Sequence, residues 1–229
     1  FLIGLALFLA SLVLTRSKGA QDVLQAIAVI ALVVQGALWG NVLITFLIAG
    51  HESSAVALSW TWYLLSEHPE AESRFIGELR SVLNGRLPAA RDIPQLRFTE
   101  MVVLESMRLY PPVPLLGREA VRDCNIGGFG VRRGTVLVAS QWVMHRDPRY
   151  FENAEAFSPE RWDTGLRETL PRHAYFPFGG GPRICIAGSF AMTELILLMP
   201  TIGQRFRPSR SREQAIVPLA SSSLFCKGG

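Results

Sequence analysis

The sequence has little cysteine, and its cysteines are not arranged for disulfides. The three residues Cys124, Cys185 and Cys226 form no CxxC pair, and the chain has no internal repeat or low-complexity tract. A disulfide framework is therefore not expected. This cysteine usage suits a reducing compartment or the cytoplasmic face of a membrane.

A nucleic-acid-binding stripe is also missing. The net charge is only +4 at pH 7, and the basic residues cluster in 205–212 (RFRPSRSR) without regularly interleaved aromatic residues. Such a run predicts a solvated loop after the last helix, with docking of an electron donor as the alternative. We expect no nucleic-acid partner.

Charge is almost absent from the first 50 residues, which carry only Arg16, Lys18 and Asp22. Residues 1–14 form an apolar run that is short for a membrane span, whereas the uncharged segment 23–50 is long enough to cross a bilayer. The alternative for 23–50 is a buried central helix, apolar on all sides because other helices enclose it. Both interpretations stay open at the level of sequence.

The most informative stretch is 176–188 (FPFGGGPRICIAG), which places Cys185 between a glycine loop and a strongly helical segment. A helix start directs unpaired N–H groups and a partial positive charge at what precedes it, and this stabilises a thiolate. Consecutive glycines let the backbone approach a flat object, and Arg183 offers a cation suited to a carboxylate. Together they predict a cradle for a flat, anionic metal cofactor with sulfur as axial ligand. The alternative is a buried free cysteine beside a glycine turn.

The order Phe178-x-x-Gly181-x-Arg183-x-Cys185 resembles the haem-binding signature of the cytochrome P450 family, the haem-thiolate monooxygenases. The resemblance implies that Cys185 is the iron ligand of haem b (iron protoporphyrin IX). It also implies that Phe178, Gly181 and Arg183 bind this cofactor. In that family the thiolate ligand favours O–O cleavage. Ala187 departs from the usual glycine, and we expect another small residue to be tolerated there.

A pair of charged residues, Glu105 and Arg108, stands three positions apart in the stretch 96–110, which a proline pair follows. The spacing puts both on one face of a predicted helix. The stretch resembles the family's Glu-x-x-Arg helix, and Arg161 in the sequence SPERW resembles the arginine that joins it. The resemblance implies a structural clamp of two arginines on one carboxylate. The alternative is an ordinary surface ion pair.

The segment 46–55 (FLIAGHESSA) resembles the family's oxygen-activating segment on its long central helix. Ala49, Gly50 and Glu52 match that pattern, and Ser53 stands where a threonine is usual. The resemblance implies that Gly50 leaves room for dioxygen, and that Glu52 and Ser53 pass protons to the reacting oxygen. Serine lacks the methyl group that restricts χ1 in threonine, so proton delivery should be less ordered. The alternative is a helix-interior glycine followed by a solvated glutamate.

Short β-rich runs punctuated by glycine occupy 115–139 and predict hairpins. Within them, Arg118 lies where many family members place a second arginine that pairs with a haem propionate. The alternative for Arg118 is an exposed charge on a strand. His145, which follows this region, is either packed beside the edge of the haem or a turn residue.

The resemblance covers roughly 41–229 and implies the C-terminal, haem-binding half of the cytochrome P450 fold, mainly α with a small β region. Residues 1–40 are expected to form an apolar N-terminal segment of uncertain origin. Helices are predicted at about 36–66, 69–84, 96–110 and 187–199. Pro200 should bend the last helix or end it early, since a proline inside a helix costs ~3 kcal/mol.

By resemblance, the function is insertion of one oxygen atom of O₂ into a small apolar organic substrate. A ferredoxin or a flavin reductase would supply the electrons. Substrate contacts are expected from three segments, 46–50, 113–116 and 222–224. The alternatives are a truncated chain that cannot hold haem and a membrane-embedded haem protein in which residues 1–50 span the bilayer. The expected location is the cytoplasm or the cytoplasmic face of a membrane.

Overall fold

A computed structural model describes residues 18–209, 215–221 and 223–227 of the chain. The chain divides into two compact units, Phe1–His51 and Glu52–Gly229. The apolar run 1–14 and Ser222, one of the expected substrate contacts, lie outside the described residues.

Helix α1 spans Lys18–Glu67 and so begins well before the predicted start near residue 36. The segment between is free of proline and rich in residues that tolerate a helix, so nothing in it stops the helix. Residues 41–51 are exposed in the described chain. By length and composition the stretch Val34–Glu67 could cross a membrane, but core helices of soluble proteins share these properties. Both interpretations of this segment therefore stay predictions.

The second unit is built around helix α3 (Arg97–Leu109), in which every residue after Arg97 except Glu100 is buried. Helix α2 (Pro69–Leu83) packs one face against this core. On that face the buried residues recur every four positions, at Ala71, Phe75, Leu79 and Leu83. This spacing forms a single apolar stripe, which explains why α2 is amphipathic while α3 is enclosed.

A side chain of α2 fixes the start of α3. The Glu78 carboxylate accepts hydrogen bonds from the backbone N–H groups of Phe98 and Thr99 at 2.6 and 2.9 Å. It also accepts from the Thr99 hydroxyl at 2.6 Å. The first N–H groups of a helix have no partner within the helix, so a carboxylate there satisfies them and suits the helix dipole.

Two antiparallel strand pairs lie in the region predicted to form hairpins, and a third pair near the C-terminal end of the described chain was not predicted. The pairs are β1 (Leu115–Glu119) with β4 (Val136–Ser140), β2 (Cys124–Ile126) with β3 (Phe129–Val131), and β5 (Val217–Ala220) with β6 (Leu224–Lys227). In the first pair Arg118 stands opposite Leu137. Two short helices follow the first two strand pairs along the chain, α4 (Gln141–Met144) and α5 (Leu166–Thr169).

The last long helix, α6, spans Gly188–Gly203 and includes Pro200. The prediction that it ends early at Pro200 is therefore wrong. Met199 and Pro200 are buried, and this packing offsets the cost of the proline. At Gly203 an added Cβ would stand 2.7 Å from Cε1 of Phe75, so only glycine lets α6 approach α2 this closely.

Candidate active site

Backbone hydrogen bonds hold the loop that carries Cys185. The Gly179 N–H donates to the Phe176 carbonyl at 2.8 Å, and the Cys185 N–H donates to the Phe178 carbonyl at 2.9 Å. Positive φ angles at Gly179 and Gly181, 75° and 70°, make these turns possible. The loop therefore has a defined shape that does not depend on the side chain of Cys185.

The side chain of Cys185 is exposed, as are those of its apolar neighbours. Ile184 is 58% exposed, Ile186 is 86% exposed, and Phe190 in the first turn of α6 is 71% exposed. An exposed thiol within an apolar surface suits a bound group that is itself largely apolar. The alternative of a buried structural cysteine is wrong.

A cavity of about 620 Å³ opens between the β1–β4 pair and the glycine loop, and Arg118, Gly180 and Gly181 all line it. Among the described residues nothing lies within 4 Å of where a Cβ of Gly181 would stand, so that glycine leaves the cavity open. The Arg118 guanidinium donates to its neighbour's carbonyl, Gly117 O, at 2.7 Å. The structure thus places Arg118 beside the glycine loop. Arg183 is an exposed residue within that loop.

Phe178 fixes the junction between the loop and α6. An added Cβ at Gly188 would stand 3.3 Å from Cγ of the Phe178 ring, which shows how closely the ring covers the first residue of the helix. Phe178 also packs against the hydrophobic core. Phe178 therefore anchors the loop through packing, and Ala187 fits at the helix start without distortion of these contacts.

The three charged residues predicted to form a clamp come together in the core. Glu105 and Arg108 are fully buried, and Arg108 pairs with the carboxylate through Nε and Nη2 at 2.9 and 2.8 Å. Arg161 Nε donates to Glu105 Oε1 at 2.9 Å. Two further donors, the Ser158 N–H and Trp162 Nε1, complete the carboxylate's shell at 3.0 and 2.9 Å. The alternative of a surface ion pair is wrong.

Arg108 also ties the loops that follow the β region to α3. Its Nη1 donates to the carbonyls of His145 and Ala154 at 2.8 and 2.6 Å, and its Nη2 donates to Ala156 O at 3.0 Å. A guanidinium with all its donors satisfied is tolerated in a core, because no buried polar hydrogen is left without a partner. The network therefore fixes the backbone at 145–161, which packs against α3.

The segment with Glu52 and Ser53 lies in α1, where both residues are half-buried. The next residue, Ser54, donates through its hydroxyl to Glu194 Oε2 on α6 at 2.8 Å. The helix that follows Cys185 is thus joined to the segment with the expected proton donors. Gly50 belongs to the first unit, is exposed, and among the described residues has nothing within 4 Å of where a Cβ would stand.

Sequence reasoning missed Gln141 and left His145 undecided, yet both lie behind the cysteine loop. His145 is fully buried, and its Nε2 accepts a hydrogen bond from the Phe176 N–H at 2.9 Å. Burial lowers the pKa of His145 to about 3, so the ring is neutral and carries its proton on Nδ1. Gln141 Nε2 donates to the Phe176 carbonyl at 2.7 Å. His145 is therefore a packed core residue in the turn that follows α4.

The class of protein follows from a comparison of the sequence with protein families. The family described as "Cytochrome P450" matches residues 40–227. This chain therefore belongs to the cytochrome P450 family, as the cysteine motif predicts. Membership implies a haem cofactor, and the exposed thiol, glycine loop and two arginines described above fit such a group.

Individual relatives and a solved structure agree with this assignment. "Protein LUTEIN DEFICIENT 5, chloroplastic" of Arabidopsis thaliana is 40% identical over 72% of this chain and 28% of its own length. "Cyclooctatin synthase" of Streptomyces melanosporofaciens is 39% identical over 71% of this chain and 36% of its own length. A crystal structure of a cytochrome P450 superposes with a TM-score of 0.74 at 28% identity, covering 82% of this chain and 43% of that one. The chain thus spans about a third of the length of the curated relatives it matches.

Proposed function

We propose that this chain is the haem-binding region of a monooxygenase that inserts one oxygen atom of O₂ into an apolar organic substrate. Cys185 is the iron ligand in this proposal. The observation that carries it is an exposed thiol in a loop whose shape is set by backbone hydrogen bonds. Haem, when bound there, supplies the reductive activation of oxygen.

The choice of Cys185 over the other cysteines rests on their surroundings. Burial raises the pKa of Cys226 to about 11, so that thiol stays protonated at neutral pH. Cys124 lies on strand β2, and the glycine turn that follows leads to strand β3 and not to a helix. Among the described residues no group of three or more His, Cys, Asp or Glu is arranged to hold a metal.

The residues around Cys185 would hold haem b in complementary ways. Gly181 keeps the backbone free of side chains beside the cavity, and Phe178 packs beneath the start of α6. Arg183 and Arg118 are placed on the loop and on the facing strand, where their cations would pair with propionate groups. This is the role that the family resemblance assigns to them.

Glu52 and Ser53 would move protons toward the reacting oxygen, with Gly50 leaving room for it. The Ser54–Glu194 hydrogen bond supports this role, since it holds the segment to the helix that follows the iron ligand. Ser53→Ala should raise the hydrogen peroxide released per electron consumed, whereas Ser53→Thr should hold or improve coupling. Equal peroxide release by Ser53→Ala and the parent would remove Ser53 from the proton path.

The partners proposed are a small apolar substrate, O₂, and an electron donor such as a ferredoxin or a flavin reductase. Membrane association through residues 1–50 is part of the same proposal, supported by the apolar stretch of α1. Retention of the protein in membranes after an alkaline wash is the expected result. Complete release would favour a core helix.

The test of the haem proposal is the Soret band of the ferrous–carbon monoxide complex. The parent should show the red-shifted band of a thiolate ligand, and Cys185→Ala should lose it. Cys124→Ala and Cys226→Ala are the matched controls and should keep it. A band unchanged in Cys185→Ala would overturn the assignment, and no haem binding by the parent would favour an incompetent fragment.

A further inference from the structure

One residue in front of the cysteine loop, Phe176, has both its backbone N–H and its backbone carbonyl held by buried side chains. The Phe176 N–H donates to His145 Nε2 at 2.9 Å, and the Phe176 carbonyl accepts from Gln141 Nε2 at 2.7 Å. Gln141 and His145 are both fully buried; Gln141 is the first residue of helix α4, and His145 follows its last residue. Residues four positions apart share one face of a helical turn, so both can reach the backbone of the same residue.

Phe176 is also the first residue of the turn that leads to Cys185. Its carbonyl accepts a second hydrogen bond from the Gly179 N–H at 2.8 Å, and Phe178 O accepts from the Cys185 N–H at 2.9 Å. A short series of hydrogen bonds therefore runs from α4 through Phe176 to the backbone of Cys185. A shift of Phe176 would move the whole turn.

The side chain of His145 is itself held in place. Its ring packs against those of Tyr175 and Phe176, with centroids 4.9 and 5.2 Å apart. Its backbone carbonyl accepts from Arg108 Nη1 at 2.8 Å, which connects it to the buried carboxylate network. Tyr175 is fixed in turn, because its hydroxyl donates to Leu104 O on α3 at 2.9 Å.

We propose that Gln141 and His145 form a clamp on the Phe176 backbone that positions the cysteine loop for iron ligation. Both are positioning residues, since they act through the Phe176 backbone and do not touch the thiol. An apolar side chain at position 145 would fill the same space but would leave the Phe176 N–H without its acceptor. An apolar side chain at position 141 would leave the Phe176 carbonyl with the hydrogen bond from the Gly179 N–H alone. This inference rests on the proposed role of Cys185, but its first test does not.

The first test measures hydrogen exchange of the Phe176 and Cys185 amides in the haem-free protein. His145→Phe keeps an aromatic ring but removes the acceptor, and the Phe176 amide should exchange roughly ten- to a hundredfold faster. Gln141→Leu should have a smaller effect, because Phe176 O keeps its bond from Gly179. His145→Gln, whose Oε1 can accept, should recover most of the protection.

Matched controls come from residues away from the loop. His68 is half-buried against the ring of Phe157, at a centroid distance of 4.8 Å. His68→Phe is therefore the control for His145→Phe. Gln204 donates hydrogen bonds to Arg86 O and Pro200 O, and Gln204→Leu is the control for Gln141→Leu. Exchange at Phe176 that is equal in His145→Phe and His68→Phe would overturn the clamp.

The second test uses haem-loaded protein and the red-shifted ferrous–carbon monoxide band. His145→Phe should lose at least a few-fold more of this band than His68→Phe at equal melting temperature, and His145→Gln should restore it. If His145→Phe does not fold, Gln141→Leu against Gln204→Leu gives the same comparison. Full thiolate signal in folded clamp variants would overturn the positioning role. Absence of the band in the parent would overturn only the ligand role of Cys185. The hydrogen-exchange test would still show whether the clamp exists.

Discussion

The Glu105 network and the Cys185 loop belong to one unit but differ in burial and in the contacts that hold them in place. Glu105 is fully buried, and its carboxylate accepts five hydrogen bonds from two arginines, a tryptophan and a backbone N–H. Cys185 is exposed, and its position is set by its backbone and not by side-chain partners around the sulfur. The buried charge of Glu105 therefore fixes the packing of the core, while the sulfur of Cys185 stays accessible.

The difference shows why the two sites need different support. A buried carboxylate is stable only when all its acceptor sites are used, so the network tolerates no missing member. A metal ligand must instead be accessible, so its loop has to be held by contacts to its backbone on the side away from the sulfur. Gln141 and His145 supply it, and the His145 carbonyl joins the two sites through Arg108.

The largest effect is expected at the buried network. Glu105→Ala leaves the buried Arg108 and the half-buried Arg161 without their carboxylate and should cost roughly 3–5 kcal/mol in the free energy of unfolding. Soluble, haem-bound protein should then be lost. Denaturant unfolding and the yield of haem-bound protein measure this.

A control on the same helix sharpens the comparison. Glu100 is half-buried, and its nearest arginine, Arg167, is 3.9 Å away, so Glu100→Ala should cost no more than about 1 kcal/mol. Similar melting temperatures for Glu100→Ala and Glu105→Ala would mean that the Glu105 network does not stabilise the core.

An intermediate effect is expected from two glycines, one packed and one open. Gly203→Ala forces a Cβ against Phe75 and should cost about 1–3 kcal/mol of stability. Gly181→Ala meets no neighbour among the described residues, but its φ of 70° should cost about 1–2 kcal/mol and place a methyl group at the cavity. Haem titration should find weakened binding in Gly181→Ala and parent-like binding in folded Gly203→Ala. The reverse pattern would place the cofactor elsewhere.

The last comparison concerns the slope of stability with pH. Burial lowers the pKa of His145 to about 3 from an ordinary value of 6.5, so between these values the unfolded chain binds a proton that the folded one does not. This contribution is complete above about pH 6.5 and is lost as the pH falls towards 3, by up to about 1.4 kcal/mol per pH unit. His145→Gln should flatten the unfolding free energy over this window. Parallel curves for parent and variant would show that His145 does not titrate in this way.

Local patterns in the sequence predicted more of this structure than long-range contacts could. The glycine–cysteine motif and the spacing of Glu105 and Arg108 lie within short stretches, and the family they indicate is confirmed. The start of α1 at Lys18 could not be predicted, because the apolar segment before residue 36 has no signal that stops a helix.

Tertiary contacts account for what the sequence did not predict. Helix α6 continues past Pro200 because the residues around the proline are buried against the core. The bond between Gln141 and Phe176 joins residues 35 positions apart, and no motif of the sequence analysis includes Gln141. Trp162 lies beside Arg161 in the sequence, but its bond to Glu105 became visible only in the folded chain.

X-ray absorption at the iron edge of the haem-loaded protein tests the central claim most directly, because it detects the atoms bound to the metal. The account predicts one sulfur neighbour in the parent protein, lost in Cys185→Ala and retained in Cys124→Ala and Cys226→Ala. A first shell of nitrogen and oxygen alone in the parent, or a sulfur neighbour that survives Cys185→Ala, would contradict it.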